Sequence, residues 1–269
     1  QLEAREIMSA DKNILKPGSG DVVTSPSQDI ILGCFWMTQI IEGAKGEGKS
    51  FPTTNIAITA NDFDDVDLRA KITVLPSDNP KYAAYEGKPF ETTVGRLLFN
   101  TVLPNDFPYI NEEITKKRMG RLINDLVKRY GLGGIPAVLD KIKAFGFRYS
   151  TKAGITWSFS DVMVPEEKKT LVEEGQKAVA GLSEQYESGL LTEDERKRLS
   201  IEVWEGVKAK VQETLSSQLV PTSPVHNMIV SGARGSLGQL NQMAGMKGMI
   251  ANPRGEIIEF PVLSSMKEV

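Results

Sequence analysis

One cysteine, Cys34, and one histidine, His226, are all that 269 residues contain of either type. A lone cysteine excludes an internal disulfide and any cysteine-based zinc cluster. A lone histidine excludes paired-histidine metal sites. No apolar run reaches the roughly 18 residues needed to span a bilayer. The opening Gln1-Leu2-Glu3-Ala4-Arg5-Glu6 lacks the basic-then-apolar layout of a secretory signal. These absences set the expectation of a cytoplasmic protein without a membrane segment. The remainder, 40% hydrophobic and 25% charged, is ordinary for globular protein and sufficient for one large domain or two modules.

The net charge of −3 hides an asymmetry. Between Thr115 and Lys152 stand ten basic residues (Lys116, Lys117, Arg118, Arg121, Lys128, Arg129, Lys141, Lys143, Arg148 and Lys152) against Asp125 and Asp140, a balance of about +8. From Asp161 to Glu213 carboxylates are in excess. A basic module joined to an acidic one suggests a phosphate-rich neighbour on one side. A solvated helix face accounts for the same charges equally well.

Helical spacing opens the chain at Leu2–Met8, and Pro17–Gly20 is a turn. The continuous apolar run Asp29–Met37 should be buried. Residues 42–50 read as a Gly/Lys loop. Alternation over Asp67–Leu75 is that of a half-buried strand. Thr92–Phe99 reads as a short helix or strand, ended by Pro104. A helix is expected from Asn111 to Tyr130, stopping at Gly131, and another from Ile135 to Phe145. No internal repeat is visible.

The clearest local architecture is a helical hairpin. A Glu/Lys/Ala/Leu-rich helical pattern runs from Pro165 to Gly189 with apolar contacts at Leu171, Ala178 and Leu182. Thr192 and Glu195 form a capping-box signature for a second helix. That helix carries Leu199, Val203, Val207, Val211 and Leu215 at spacings of three and four. Such helices extend roughly 35 Å at 1.5 Å per residue. Their acidic outer faces predict a protruding finger.

Two motifs carry chemistry only in appearance. Residues 43–50, Gly-Ala-Lys-Gly-Glu-Gly-Lys-Ser, match the Walker A pattern, in which Lys49 and Ser50 would hold phosphate and magnesium. The pattern needs a preceding strand and an immediately following helix, which Pro52 and its β-branched neighbours disfavour. A surface loop is the better reading, with a P-loop NTPase as the alternative. Asp62, Asp64, Asp65 and Asp67 could in principle collect a magnesium ion, but they read as a solvated turn before the Leu68–Val74 strand. His226 has no nucleophile or metal partner at a meaningful spacing. Trp36, Trp157 and Trp204 read as packing anchors.

Ser231-Gly232-Ala233-Arg234-Gly235-Ser236 differs from these. Its glycines and serines bracket one arginine, so backbone can approach an anion while a guanidinium donates a planar fork. Gln239, Gln242, the Met243–Met249 stretch and Gly255-Glu256-Ile257-Ile258-Glu259-Phe260-Pro261 follow.

This string resembles a pattern of the beta-prime subunits of bacterial DNA-directed RNA polymerase: Ser-Gly-Ala-Arg-Gly-Ser, two glutamines, Gly-Met-(Arg/Lys)-Gly, then Ile-Ile-Glu-x-Pro. Leu2-Glu3-Ala4-Arg5, Asn13-Ile14-Leu15-x-Pro17 and Pro26-Ser27-Gln28-Asp29 resemble the run that follows the family's aspartate metal loop. Lys45–Gly48, Asp67-Leu68-x-Ala70, Thr92–Arg96 and Asp161-x-x-Val164-Pro165 occur in family order between them.

The resemblance implies an α+β fold: a mixed α/β pore module over residues 1–160, a funnel hairpin over 161–220 lining the secondary channel, and a substrate-proximal segment over 221–269 leading to the bridge helix. All would be part of a larger multidomain subunit. It implies nucleotidyl transfer from nucleoside triphosphates on a DNA template, with Arg234 facing the triphosphate and Lys247 near it. The Mg2+ ions would be held by an aspartate triad upstream of Gln1, so this piece alone would be inactive; the family also allows zinc elsewhere in the subunit. Implied partners are the beta, alpha, omega and sigma subunits, DNA, RNA and channel factors that meet the hairpin. At Arg198, Leu199 and Glu202 the chain departs from the family's Asn-Lys pair and Asp. Loss of that lysine to Leu199 speaks against nucleotide regulation there. A non-enzymatic hairpin docking module is the further alternative.

Overall fold

The computed structural model describes every residue from Gln1 to Val269. It is an α+β protein with two compact units: residues 1–155 with 230–234, and residues 156–229 with 235–269. No helix is long and apolar enough to cross a membrane.

The first unit opens with a short exposed helix, α1 (Leu2–Glu6), and a bend at residues 17–20. The apolar run forms α2 (Asp29–Thr38), buried at Ile31, Leu32, Cys34, Phe35 and Met37. A helix apolar on all sides is stable only when enclosed. Its main neighbour is α5 (Lys116–Ala153), and the shared core includes Phe99, Met119, Leu122, Leu126, Ile142 and Phe145. Burial pushes the Cys34 thiol up to about 12, which removes it from thiolate chemistry.

Three short strands make the unit's only sheet, in the order β1 (Ser50–Phe51), β2 (Ile72–Val74), β3 (Phe90–Thr92). β1 runs parallel to β2, and β3 antiparallel to it. Helices α3 (Thr54–Asp62) and α4 (Val94–Thr101) share a small core with it through Ala57, Ile72, Val74, Val94 and Leu97.

The strand expected over Asp67–Leu75 is thus confined to its second half. The Asp67 carboxylate accepts from the Arg69 N–H at 2.8 Å, folding residues 67–70 into a turn. Arg69 then lies over the Trp36 ring, 4.4 Å from its centroid. Thr92–Phe99 is strand and helix in succession: β3 ends at Thr92, and the Thr93 hydroxyl caps α4 by accepting from Arg96 N–H at 3.2 Å. The Arg96 side chain, buried, donates to the Thr38 and Asn111 carbonyls at 2.8 and 3.0 Å. These bonds tie α4 to the end of α2.

The expected break at Gly131 is a kink inside α5, where φ is 66° and ψ 180°. Both outer limits differ from expectation. The helix begins at Lys116 because Thr115 caps it, accepting from Arg118 N–H at 3.3 Å. Before that cap, Ile114 N–H is taken by the Thr38 hydroxyl at 2.9 Å in non-helical chain. The helix continues past Phe145 to Ala153, with Gly146 at its crossing with α2, and it stops at the left-handed Gly154.

The second unit is built on the hairpin: α6 (Lys168–Glu187) and α7 (Glu193–Ser217). Thr192 and Glu195 make the full capping box, with Glu195 accepting from Thr192 N–H at 2.9 Å and Thr192 from Glu195 N–H at 3.3 Å. Trp204, Val207 and Val211 form the seam with Leu171 and Val172, and Met246 closes it. Helices α8 (Pro224–Val230) and α9 (Leu237–Ala244) follow. The chain then returns along α7, where Glu259 receives a two-pronged ion pair from Arg196. Near the end, Glu268 pairs with the buried Lys168.

Candidate functional site

The two motifs set aside above occupy each other. The Lys49 ammonium donates to the Asp65 carbonyl at 3.0 Å, Lys45 pairs with Asp64 at 2.8 Å, and Asp67 N–H donates to the Lys45 carbonyl at 2.8 Å. Glu47 folds back to accept from Gly43 N–H at 2.6 Å. A Cβ on Gly46 would lie 2.8 Å from the Asp65 carbonyl oxygen, so the loop is pressed onto the acidic turn. A helix does begin two residues after Pro52, at Thr54, contrary to expectation, because Thr53 caps it at 3.2 Å. Yet Ser50 enters strand β1, so the order is loop–strand–helix. A P-loop requires strand–loop–helix with its lysine free for phosphate, and this arrangement removes that reading. No three acidic, histidine or cysteine side chains converge anywhere in the chain to hold a metal ion.

The glycine-bracketed arginine is built differently. Ser231 is fully buried, and its carbonyl accepts from Lys116 N–H, the first residue of α5, at 2.8 Å. Its hydroxyl accepts from Ala233 N–H at 3.1 Å, closing a local turn. Gly232 and Gly235 take φ of 74° and 84°, which side chains with a Cβ rarely adopt. A Cβ on Gly232 would lie 2.9 Å from the Cβ of Lys116, so the lysine stem occupies the space that glycine leaves. The bend is therefore anchored on its Ser231–Gly232 flank, while Arg234 is exposed and makes no ion pair. An exposed, uncompensated guanidinium on a fixed backbone can give a bidentate fork to a phosphate or carboxylate.

In the second unit, Ser236 caps α9, accepting from Gln239 N–H at 3.2 Å. Gln239 and Gln242 are exposed on that helix. Lys247 is also exposed, between buried Met246 and Gly248. Gly248 exchanges two 2.9 Å backbone bonds with Val262, which holds the Lys247 backbone at the end of a short antiparallel bridge. Arg234 belongs to the first unit and Lys247 to the second.

On the hairpin, Arg198 and Glu202 are solvent-facing and 3.9 Å apart one turn along α7. Such an exposed pair contributes little to stability. Leu199 and Glu202 border a groove between the two helices, whose apolar lining includes Leu171, Ala178, Leu182 and Val203. Sequence reasoning included Lys116 only in a charge count. Nothing local marks its place beside the Arg234 bend.

Residues 13–162 match the family described as RNA polymerase Rpb1, domain 3, and residues 188–266 match RNA polymerase Rpb1, domain 4. Proteins named DNA-directed RNA polymerase subunit beta' are similar along the whole chain. That of Acidothermus cellulolyticus is 41% identical, with 100% of this chain and 22% of that protein covered. That of Thermoanaerobacter sp. is 40% identical, covering 100% and 24%. That of Streptomyces coelicolor is 39% identical, covering 100% and 22%. The chain thus spans about a fifth to a quarter of the length of these relatives.

Proposed function

Since the chain belongs to the RNA polymerase Rpb1 family, whose bacterial members are beta-prime subunits, we propose that it lines the channel through which nucleoside triphosphates reach the active centre of DNA-directed RNA polymerase, and that Arg234 contacts their phosphates. The observation that carries this reading is Arg234 itself: exposed, unpaired, and held between two left-handed glycines over an anchored backbone.

Charge developing on the leaving pyrophosphate is stabilised by a cation already in place, at no reorganisation cost during the reaction. Nucleotidyl transfer would draw on Lewis-acid chemistry supplied by Mg2+. This chain's residues do not fit such ions, since no ligand set converges. Those ions, and any zinc, would be held by other parts of the polymerase. The piece alone would accordingly be inactive, and it would work beside the other polymerase subunits, DNA and RNA.

The hairpin groove bordered by Leu199 and Glu202 supports a second role, as the place where channel factors dock.

The test is single-nucleotide addition by the complete enzyme. Arg234→Ala should raise the apparent KM for nucleotides or slow addition by roughly tenfold, the worth of one charge-assisted contact. Unchanged kinetics would remove Arg234 from the mechanism.

A further inference from the structure

Lys116 is attached to the bend that carries Arg234 by backbone and packing. The Lys116 N–H bonds to the Ser231 carbonyl at 2.8 Å, and its aliphatic stem fills the space beside Gly232, two residues from Arg234. Both side chains are exposed, and neither makes an ion pair or a side-chain hydrogen bond. Lys117, the next residue, is exposed and equally unpaired.

Of the carboxylates nearest in sequence, Glu112 is engaged elsewhere. Glu112 pairs with Arg118 at 2.6 Å. Glu112 and Glu113 both act on the buried Arg96 guanidinium, whose pKa burial lowers and these carboxylates partly restore. Some exposed cations of the same unit do find acids, such as Lys45 with Asp64 and Lys143 with Asp140, while others, such as Arg121 and Lys128, do not. Two exposed cations carried on one anchored bend, with no acid paired to either, offer a polyanion two points of attachment.

We propose that Lys116 is a second phosphate-positioning residue, which shares with Arg234 the polyphosphate of an incoming nucleotide. This rests on the reading of Arg234 given above. The two side chains suit different parts of such a ligand: the guanidinium offers a fixed planar fork, the ammonium a mobile point charge on a four-carbon stem. Gly232 is what allows the second to approach the first. With a Cβ at that position, the Lys116 stem would be displaced from the bend.

The test uses the complete polymerase and measures apparent KM and kcat for single-nucleotide addition, with pyrophosphate inhibition as a second readout. Lys116→Met keeps the stem that packs on Gly232 and deletes only the charge. It should raise KM roughly fivefold with a smaller change in kcat, and weaken inhibition by pyrophosphate to a similar extent. Lys116→Arg should restore both. The double variant Lys116→Met with Arg234→Ala should lose less than the product of the two single losses, because both act on one ligand.

If Arg234→Ala alters the kinetics and Lys116→Met does not, the inference is overturned and the reading of Arg234 stands. If neither alters them, that reading itself fails. If Lys116→Arg fails to rescue, the effect belongs to packing and the inference is overturned. Should Lys116→Met impair assembly, Lys116→Gln with pyrophosphate inhibition decides the matter, normal inhibition overturning the inference.

Discussion

Gly33 of α2 and Gly146 of α5 face each other where the two helices cross, so closely that a Cβ on Gly33 would lie 2.0 Å from the Gly146 carbonyl oxygen. A Cβ on Gly146 would in turn lie 2.5 Å from the Ile30 carbonyl oxygen. Both obstacles are backbone, which cannot rotate aside. Gly33→Ala or Gly146→Ala should therefore separate the helices and open the core around Cys34 and Phe145. The expected loss is about 3 kcal/mol, toward the upper end for overpacking, read as a lower midpoint in denaturant. Gly120→Ala, where a Cβ meets nothing within 4 Å, is the control and should gain up to about 1 kcal/mol of helix propensity.

Trp204 packs against Gly175 across the hairpin, its Cζ3 3.1 Å from where a Cβ on Gly175 would stand. Trp204→Ala removes the largest side chain of that seam and should cost about 3–5 kcal/mol. Amide exchange along α6 and α7 should accelerate, while α2 stays protected.

The turn between the hairpin helices should depend on pH. Hydrogen bonds from the Thr192 backbone and side chain hold the Glu195 carboxyl below its ordinary value. A carboxyl lowered on folding stabilises above its unfolded pKa, and that contribution fades as pH falls through the folded value. Exchange at the start of α7 should therefore rise on acidification below about pH 4. In Glu195→Gln that pH dependence should be smaller, the remainder belonging to Glu193, which Lys197 and Tyr186 also hold lowered.

Glu268 ties the end of the chain to the buried Lys168. Burial alone would raise its carboxyl, but hydrogen bonds from Lys168 and Ser265 win and hold it lowered. Glu268→Gln leaves the buried Lys168 without a charge partner and should cost about 1 kcal/mol, because the carboxylate is itself 36% exposed and solvent screens the pair. Thermal unfolding at pH 7 should show the loss, and it should shrink as the parent protein is acidified.

Lys49→Ala should leave nucleotide affinity of the complete enzyme unchanged, because that ammonium bonds to the Asp65 carbonyl and stands at a strand. Equilibrium binding of Mg-ATP checks it. A loss of affinity would revive the P-loop reading.

What could be read from sequence was local. The capping box at Thr192 and Glu195, the apolar spacing of Val203, Val207 and Val211, and the break at Gly131 each depend on residues within a few positions of one another. The rejection of residues 43–50 as a P-loop also rested on near neighbours, although the helix after Pro52 was not foreseen. The strand over Asp67–Leu75 was overextended because alternation does not reveal that Asp67 will bond Arg69 N–H.

By itself, the sequence determined the capped start of α7 and the break at Gly131, which run must be enclosed, and, through its literal motifs, which family the chain belongs to. Tertiary structure alone decided the partners: Gly33 against Gly146, Arg196 with Glu259, Lys45 with Asp64, and Lys116 under Ser231. Helix periods and caps are set by interactions within a turn or two. Which side chains meet across distant segments depends on how whole elements pack, and no spacing along the chain encodes that.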